Sequence, residues 1–312
     1  MKIITRLWVS ALTVLISNPS LCSPGLMSAD EWREDLDQLS TAITEHHPRP
    51  FHRSDEATFH SRVDELKKAI PKLPDKEIII RLAEIVALIN DGHTRLSIPR
   101  QHPEIGLEFG HAGTPEPSFT ELKFNQLPVR FEQFDDGIFV IAASRKYQYL
   151  IGKRLIALDE TPALQAMKAV QRITFTENSQ LQKLMGADRL SLPEALAALG
   201  ITTGHEKIRL ELVSDSGETE RVVLEPLKQG AIDWIQSTPE NQDMRWKKYS
   251  QRKFWSEFIA AENIVYAQIN EISDADISLA QFSTDIVRQA EEEDARLVID
   301  LRSRSEEHTS EL

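Results

Sequence analysis

The chain has 312 residues, of which 41% are hydrophobic, and its 49 acidic and 36 basic residues give a formal net charge of −13. This length and apolar content allow a core divided over two or three domains, which excludes an intrinsically disordered protein. The negative charge argues against nucleic acid and anionic lipid as partners.

Residues 1–23 have the order of a secretory signal peptide. Two basic residues precede the apolar run Leu7 to Ile16, and small residues follow near Ser23. Because a spanning helix needs roughly 20 apolar residues, this run predicts cleaved export rather than stable membrane insertion. We therefore expect a periplasmic or secreted protein. Cleavage after Cys22, the single cysteine, would leave a mature chain without disulfides.

Residues 28–100 predict an N-terminal domain of three helices. In each helix the apolar residues recur every three or four positions and so share one face. The three faces are Trp32, Leu36, Leu39 and Ile43; Phe59, Val63, Leu66 and Ile70; and Ile78, Leu82, Ile85, Val86 and Ile89. Ser28 and Glu31 have the spacing of a capping box before the first helix. The third face is wide enough to predict a largely buried helix.

The composition then changes twice. Residues 101–122 are rich in proline, glycine, histidine and glutamate, which predicts a surface loop or linker. Residues 123–228 predict a β-rich module with strands around Asp136-Gly137 and a hairpin around residues 215–217. The module contains one predicted helix, with Thr161-Pro162 as its N-cap and first residue, running to about Val170.

Residues 255–303 predict a strand, a helix and a second strand. The segments NIVYAQIN and RLVIDLR are the strands, and Leu279, Phe282 and Ile286 mark the inner face of the helix. A connection of this length implies a parallel pair with a right-handed crossover. Open parallel sheets place their chemistry at the carboxyl ends of the strands. The predicted fold class is therefore α/β, in several domains.

His93 is the candidate catalytic residue. It follows Asp91-Gly92, which is predicted to end the most buried helix, so a rigid scaffold would support it as a general base. The alternative is a helix C-cap, in which Gly92 supplies the left-handed residue and His93 interacts with the terminal carbonyls.

The stretch HHPRPFH brings His46, His47 and His52 close together in the sequence. Their spacing fits no common zinc pattern, and the two prolines indicate an extended connection, so neither a metal nor a cofactor is predicted. The chain also contains no Gly-x-Ser-x-Gly elbow and no glycine-rich phosphate loop. Motifs alone therefore identify no nucleophile.

Several segments, taken in order, resemble the tail-specific, or carboxyl-terminal processing, serine peptidases and their tricorn-core relatives. They are HHPRPFH, LAEIVALINDGHTRL, LPVRFEQFDDGIFVIAAS, LIGKRLIALDETPALQAM and RLVIDLR. The resemblance implies an N-terminal helical bundle, a PDZ-like module at 123–228 that binds peptide or protein carboxyl termini, and the start of a ClpP/crotonase-like ββα catalytic domain at 255–303.

The resemblance also implies a role for His93. In tricorn-like members a histidine at this position is the base for a serine of the catalytic domain, whereas other branches use a serine and lysine pair. Tricorn has an active-site serine where Gly92 stands, so the partner of His93 stays open.

The family continues Ile-Asp-Leu-Arg into an asparagine and glycines that help to build the oxyanion hole, and it reaches the nucleophilic serine later. Here residues 304–312 read RSEEHTSEL, the translation of a common sequencing-adapter sequence. We therefore expect a non-native tail and an exported serine-type endopeptidase that stops before its nucleophile and is inactive in this form. The alternative is a non-catalytic ligand- or peptide-binding protein on the same scaffold.

Overall fold

The structure, a computed structural model, describes residues 27–101, 120–176, 178–227, 233–236, 245, 248–249, 252–272 and 277–302. The predicted signal peptide, the predicted tail and most of the predicted linker lie outside these residues. The chain divides into two compact units, Met1–Ser237 and Thr238–Leu312. Within the described ranges, every helix is too short or too polar to cross a bilayer.

The first unit begins with the three predicted helices. They are α1 (Ala29–Thr41), which continues into a π-helical turn (Ala42–His46), α2 (Glu56–Ala69) and α3 (Asp75–Ala87). The capping box is confirmed, because the Ser28 hydroxyl accepts the Glu31 N–H and the Glu31 carboxylate accepts the Ser28 N–H. Every apolar residue predicted on the three inner faces is buried.

An antiparallel sheet follows in the same unit. Its strands are β1 (Val129–Phe134), β2 (Gly137–Ser144), β3 (Arg154–Leu158), β4 (Thr161–Pro162), β5 (Ile208–Val213), β6 (Thr219–Leu224) and β7 (Trp234–Gln236). Among the described residues the order is β1-β2-β3-β5-β6, with β4 paired to β3 and β7 paired to β2. The strands predicted around Asp136-Gly137 and residues 215–217 are confirmed as the hairpins β1–β2 and β5–β6.

The prediction of a single helix in this segment is wrong, because the structure has α4 (Ala163–Val170), α5 (Ser179–Arg189) and α6 (Pro193–Ala198). The predicted end of α4 is confirmed, but Thr161 does not cap it. Thr161 lies in β4, and its hydroxyl donates to the Ile201 carbonyl. A Cβ on Gly186 of α5 would lie 2.7 Å from Met167 Sδ of α4, so glycine lets these two helices approach closely.

Two apolar cores stabilise the first unit. One packs α1, α2 and α3 against residues that come much later in the chain, including Phe124, Leu192 and Ala195. The other lies between the sheet and α4 and includes Val140, Met167 and Leu210. Residues after position 100 therefore complete the core of the N-terminal helices.

A buried polar cluster connects the segment after α3 with α5. The Arg100 side chain is completely buried and donates to Gln126 Oε1 at 3.0 Å and to the Asp188 carboxylate. Arg189 also donates to Asp188, at 2.9 Å. Since buried charges are expensive unless they are paired, this cluster fixes how the two segments meet.

The second unit contains β8 (Phe254–Ile259), β9 (Ile264–Ile269), α7 (Leu279–Glu292) and β10 (Arg296–Asp300). The predicted parallel pair is confirmed, because β9 and β10 are parallel and α7 connects them. Phe282 and Ile286 are buried, and Leu279 packs partly buried beside them. The pattern analysis missed β8, which pairs with β9 in antiparallel orientation. The fold is mixed helix and sheet, in keeping with the predicted α/β class.

Candidate functional site

The turn that carries His93 begins where α3 ends. The helix ends at Ala87, about one turn before the predicted end at Asp91-Gly92. Asn90 has a left-handed backbone, with φ of 55°, a conformation that asparagine tolerates better than most residues. The preceding residue, Ile89, is completely buried in the helical core. The turn is therefore attached to a rigid part of the unit.

Asp91 holds the backbone of this turn. Its Oδ1 accepts the N–H of His93 at 2.7 Å and the N–H of Thr94 at 3.1 Å. Thr94 is buried, whereas His93 is exposed. His93 is therefore an exposed residue on a turn whose backbone is held at positions 93 and 94 by the Asp91 carboxylate.

The HHPRPFH stretch meets the turn at His47, whose side chain is only 6% exposed. Its Nε2 lies 3.8 Å from Asp91 Oδ2, and its Nδ1 accepts the backbone N–H of Arg49 at 3.2 Å. The Arg53 guanidinium also reaches this region and donates to the Asn90 carbonyl at 3.5 Å. The structure thus brings together two stretches that the sequence analysis treated separately.

Burial controls the charge of His47. Desolvation lowers the pKa of its imidazole below the ordinary value; Asp91 opposes this shift, and His52 adds to it. His47 is therefore neutral at pH 7. Because its Nδ1 accepts a hydrogen bond, the proton of the neutral ring lies on Nε2, the nitrogen that faces Asp91.

The three histidines of this stretch have different surroundings. His46 lines a shallow depression beside α1 and α2, together with Asp37 and Lys67. His52 Nδ1 lies 2.8 Å from the Arg49 carbonyl oxygen. In the part of the chain that the structure describes, no three histidine, cysteine or acidic side chains are grouped as metal ligands.

A cleft of about 500 Å³ lies between α2, α3, residues 171–176 and Gln182. Leu66, Ile85 and Leu88 contribute apolar surface, and the charged side chains of Arg81 and Arg172 line it as well. Both arginines pair with Glu84, at 3.0 and 3.3 Å. The cleft also reaches Asn90, at the start of the His93 turn.

A second polar cluster lies at the carboxyl end of β10 in the second unit, where Tyr266 of β9 reaches it. The Tyr266 hydroxyl donates to Asp300 Oδ2 at 2.6 Å, and Arg302 Nε lies 3.0 Å from both Asp300 oxygens. Hydrogen bonds from Arg302 hold the pKa of Asp300 well below its usual range. Burial and the bond to Asp300 raise the pKa of Tyr266 to about 12. Asp300 is therefore a fixed anion at neutral pH.

Sequence reasoning missed this cluster, although it expected chemistry at the carboxyl ends of the parallel strands. The available signal was the register: Asp300 pairs with Gln268, two residues after Tyr266, so the two side chains share one face.

Neither a protein-family model nor a curated protein matches the chain. Among solved structures, mature CPAF complexed with lactacystin matches 87% of this chain and 55% of its own, with 12% identity and a TM-score of 0.50. CPAF is a chlamydial serine protease of the tail-specific type. This chain has a distantly protease-like fold. Mature CPAF alone matches with 11% identity and a TM-score of 0.48, over 87% of this chain and 55% of that one. The chain spans about half the length of these structures.

Proposed function

We propose that the chain is part of an exported serine-type endopeptidase of the tail-specific type, with His93 as its general base. The observation that carries this proposal is an exposed histidine on a turn fixed to a buried helix, in a fold that matches a serine protease over 87% of the chain. At 12% identity the match supports only the fold. The reaction is therefore inferred from His93 and the motif around it.

In the proposed reaction His93 accepts the proton of a serine hydroxyl as the oxygen attacks a peptide carbonyl. It then gives that proton to the departing amine, and a second cycle with water releases the acyl group. The resemblance implies that this serine comes from the catalytic domain of the complete protein. A fixed turn suits this role, because proton transfer requires the imidazole to stay within hydrogen-bond reach of the serine.

The proposed substrates are peptide or protein carboxyl termini. The module at 123–228 would hold the substrate by strand addition to a sheet edge, with backbone hydrogen bonds supplying affinity. Its antiparallel sheet supports this proposal, since β1 and β6 are at the two ends of the strand order among the described residues. The order of residues 1–23 supports export to the periplasm or the medium.

The test is His93→Ala in the protein expressed from the complete gene. We expect kcat to fall roughly 10²–10⁴-fold, about 3–5 kcal/mol of transition-state stabilisation, because a general base contributes this much. The melting temperature should stay unchanged, since the side chain is exposed.

His205→Ala is the matched control, because His205 is also an exposed histidine of the first unit. It should leave kcat at the parent value. A His93→Ala enzyme that cleaves peptides at the parent rate would refute the assignment and favour a serine and lysine pair.

A further inference from the structure

We infer that His47 and Asp91 are positioning residues that fix the turn carrying His93. Its importance for catalysis rests on the proposed function of His93. The contacts described below do not depend on that proposal. The positioning role of His47 also assigns a function to the HHPRPFH stretch, which has none in the proposed reaction.

The two carboxylate oxygens of Asp91 have different partners. Oδ1 accepts two backbone N–H groups of the turn, those of His93 and Thr94. Oδ2 faces the Nε2 of His47 at 3.8 Å. Asp91 therefore connects the backbone of the turn to a buried side chain from the end of the first helical segment.

His47 provides a fixed surface for this carboxylate. It is buried, its backbone N–H donates to the Ile43 carbonyl at 3.3 Å, and the Arg49 N–H fixes the orientation of its ring. The resulting Nε2–H points its positive end toward Asp91. At 3.8 Å the contact is electrostatic rather than a hydrogen bond, and burial strengthens such contacts by excluding water.

The contacts of Asp91 define a matched set of variants. Asp91→Ala removes both functions of the carboxylate, whereas Asp91→Asn keeps an oxygen that can accept the two N–H groups. His47→Gln removes the imidazole. His60→Gln is the control, because the His60 Nε2 also lies 3.8 Å from a carboxylate, that of Glu56, but on the exposed surface of α2.

The first measurement is hydrogen exchange of the whole chain, followed in peptides that cover residues 88–96. We expect about tenfold faster exchange at His93 and Thr94 in Asp91→Ala, because each amide loses its hydrogen bond to the carboxylate; a tenfold change corresponds to about 1.4 kcal/mol. His47→Gln should raise exchange at the same positions, and Asp91→Asn should restore most of the protection. Peptides from α3 should exchange at the parent rate, which shows that the change is local.

The second measurement is peptide cleavage by the protein from the complete gene. Asp91→Ala and His47→Gln should lower kcat with KM nearly unchanged, and Asp91→Asn should recover part of kcat. Parent-like exchange at residues 93 and 94 in both Asp91→Ala and His47→Gln would overturn the inference whatever the activity. Faster exchange with unchanged kcat would instead support the positioning contacts and refute His93 as the base.

Discussion

Burial affects His47 and Asp300 in different ways. For His47, desolvation is the largest influence, and it favours the neutral imidazole. For Asp300, hydrogen bonds from Arg302 and Tyr266 outweigh desolvation, so the carboxylate stays ionised. One buried group is thus a neutral dipole and the other a paired anion. Each should influence stability in a different range of pH.

The His47 prediction concerns mild acid. Because the folded-state pKa of His47 is lower than its ordinary 6.5, the unfolded chain binds the proton more readily. The contribution of His47 to stability is complete above pH 6.5 and is lost as the pH falls below that value. Urea unfolding is measured at pH 7.5 and at about pH 5, values that lie above and below the ordinary histidine pKa. The loss of stability between the two should be smaller in His47→Gln than in the parent. Identical curves for His47→Gln and the parent would contradict the prediction.

Tyr266 provides a second prediction at this scale. Tyr266→Phe removes a hydrogen bond to a buried anion, which should cost about 1.5–3 kcal/mol in the free energy of unfolding. Arg302 still pairs with Asp300, so the protein should remain folded. Denaturant unfolding measures the loss. Tyr149→Phe, at a half-exposed tyrosine, should change stability by less than about 0.5 kcal/mol. Equal results for the two variants would show that Arg302 alone stabilises Asp300.

Helices and strands could be predicted from the sequence where one face is apolar. The repeats in α1, α2, α3 and α7 identify their buried faces correctly. The buried residues of α5 are instead its last five, Met185, Gly186, Ala187, Asp188 and Arg189, so small and charged residues replace the apolar repeat. Its core position depends on Arg100, which is far away in sequence. Such long-range pairing leaves no local pattern.

The Arg100–Asp188 pair leads to a prediction at the scale of elements. Asp188→Ala leaves two arginines buried without this carboxylate, which should lower the free energy of unfolding by about 3–5 kcal/mol. Asp135→Ala is the control, because Asp135 pairs with Lys183 at 3.1 Å but is fully exposed. That surface pair should contribute less than about 1 kcal/mol. Chemical denaturation of both variants checks the difference, and equal losses would mean that burial of the cluster is unimportant.

For the whole molecule, the order of segments was more informative than any single motif. The position of His93 just after the most apolar helix could be read from the sequence. Its connection to His47 could not, since a neutral buried histidine and a distant aspartate form no recognisable spacing. The second unit has the predicted parallel pair; its outer strand β10 exposes Val298 and Ile299, and Leu301, which follows the strand, is exposed as well.

The contribution of α6 to the core of the N-terminal helices affects when that core can form during synthesis. Leu192 and Ala195 are translated about a hundred residues after α3, yet they pack in the same cluster. While the ribosome is still adding the strands between them, part of the apolar face of α3 lacks its final neighbours. A chaperone that binds apolar helices would therefore meet this segment early, and its release should coincide with the emergence of α6.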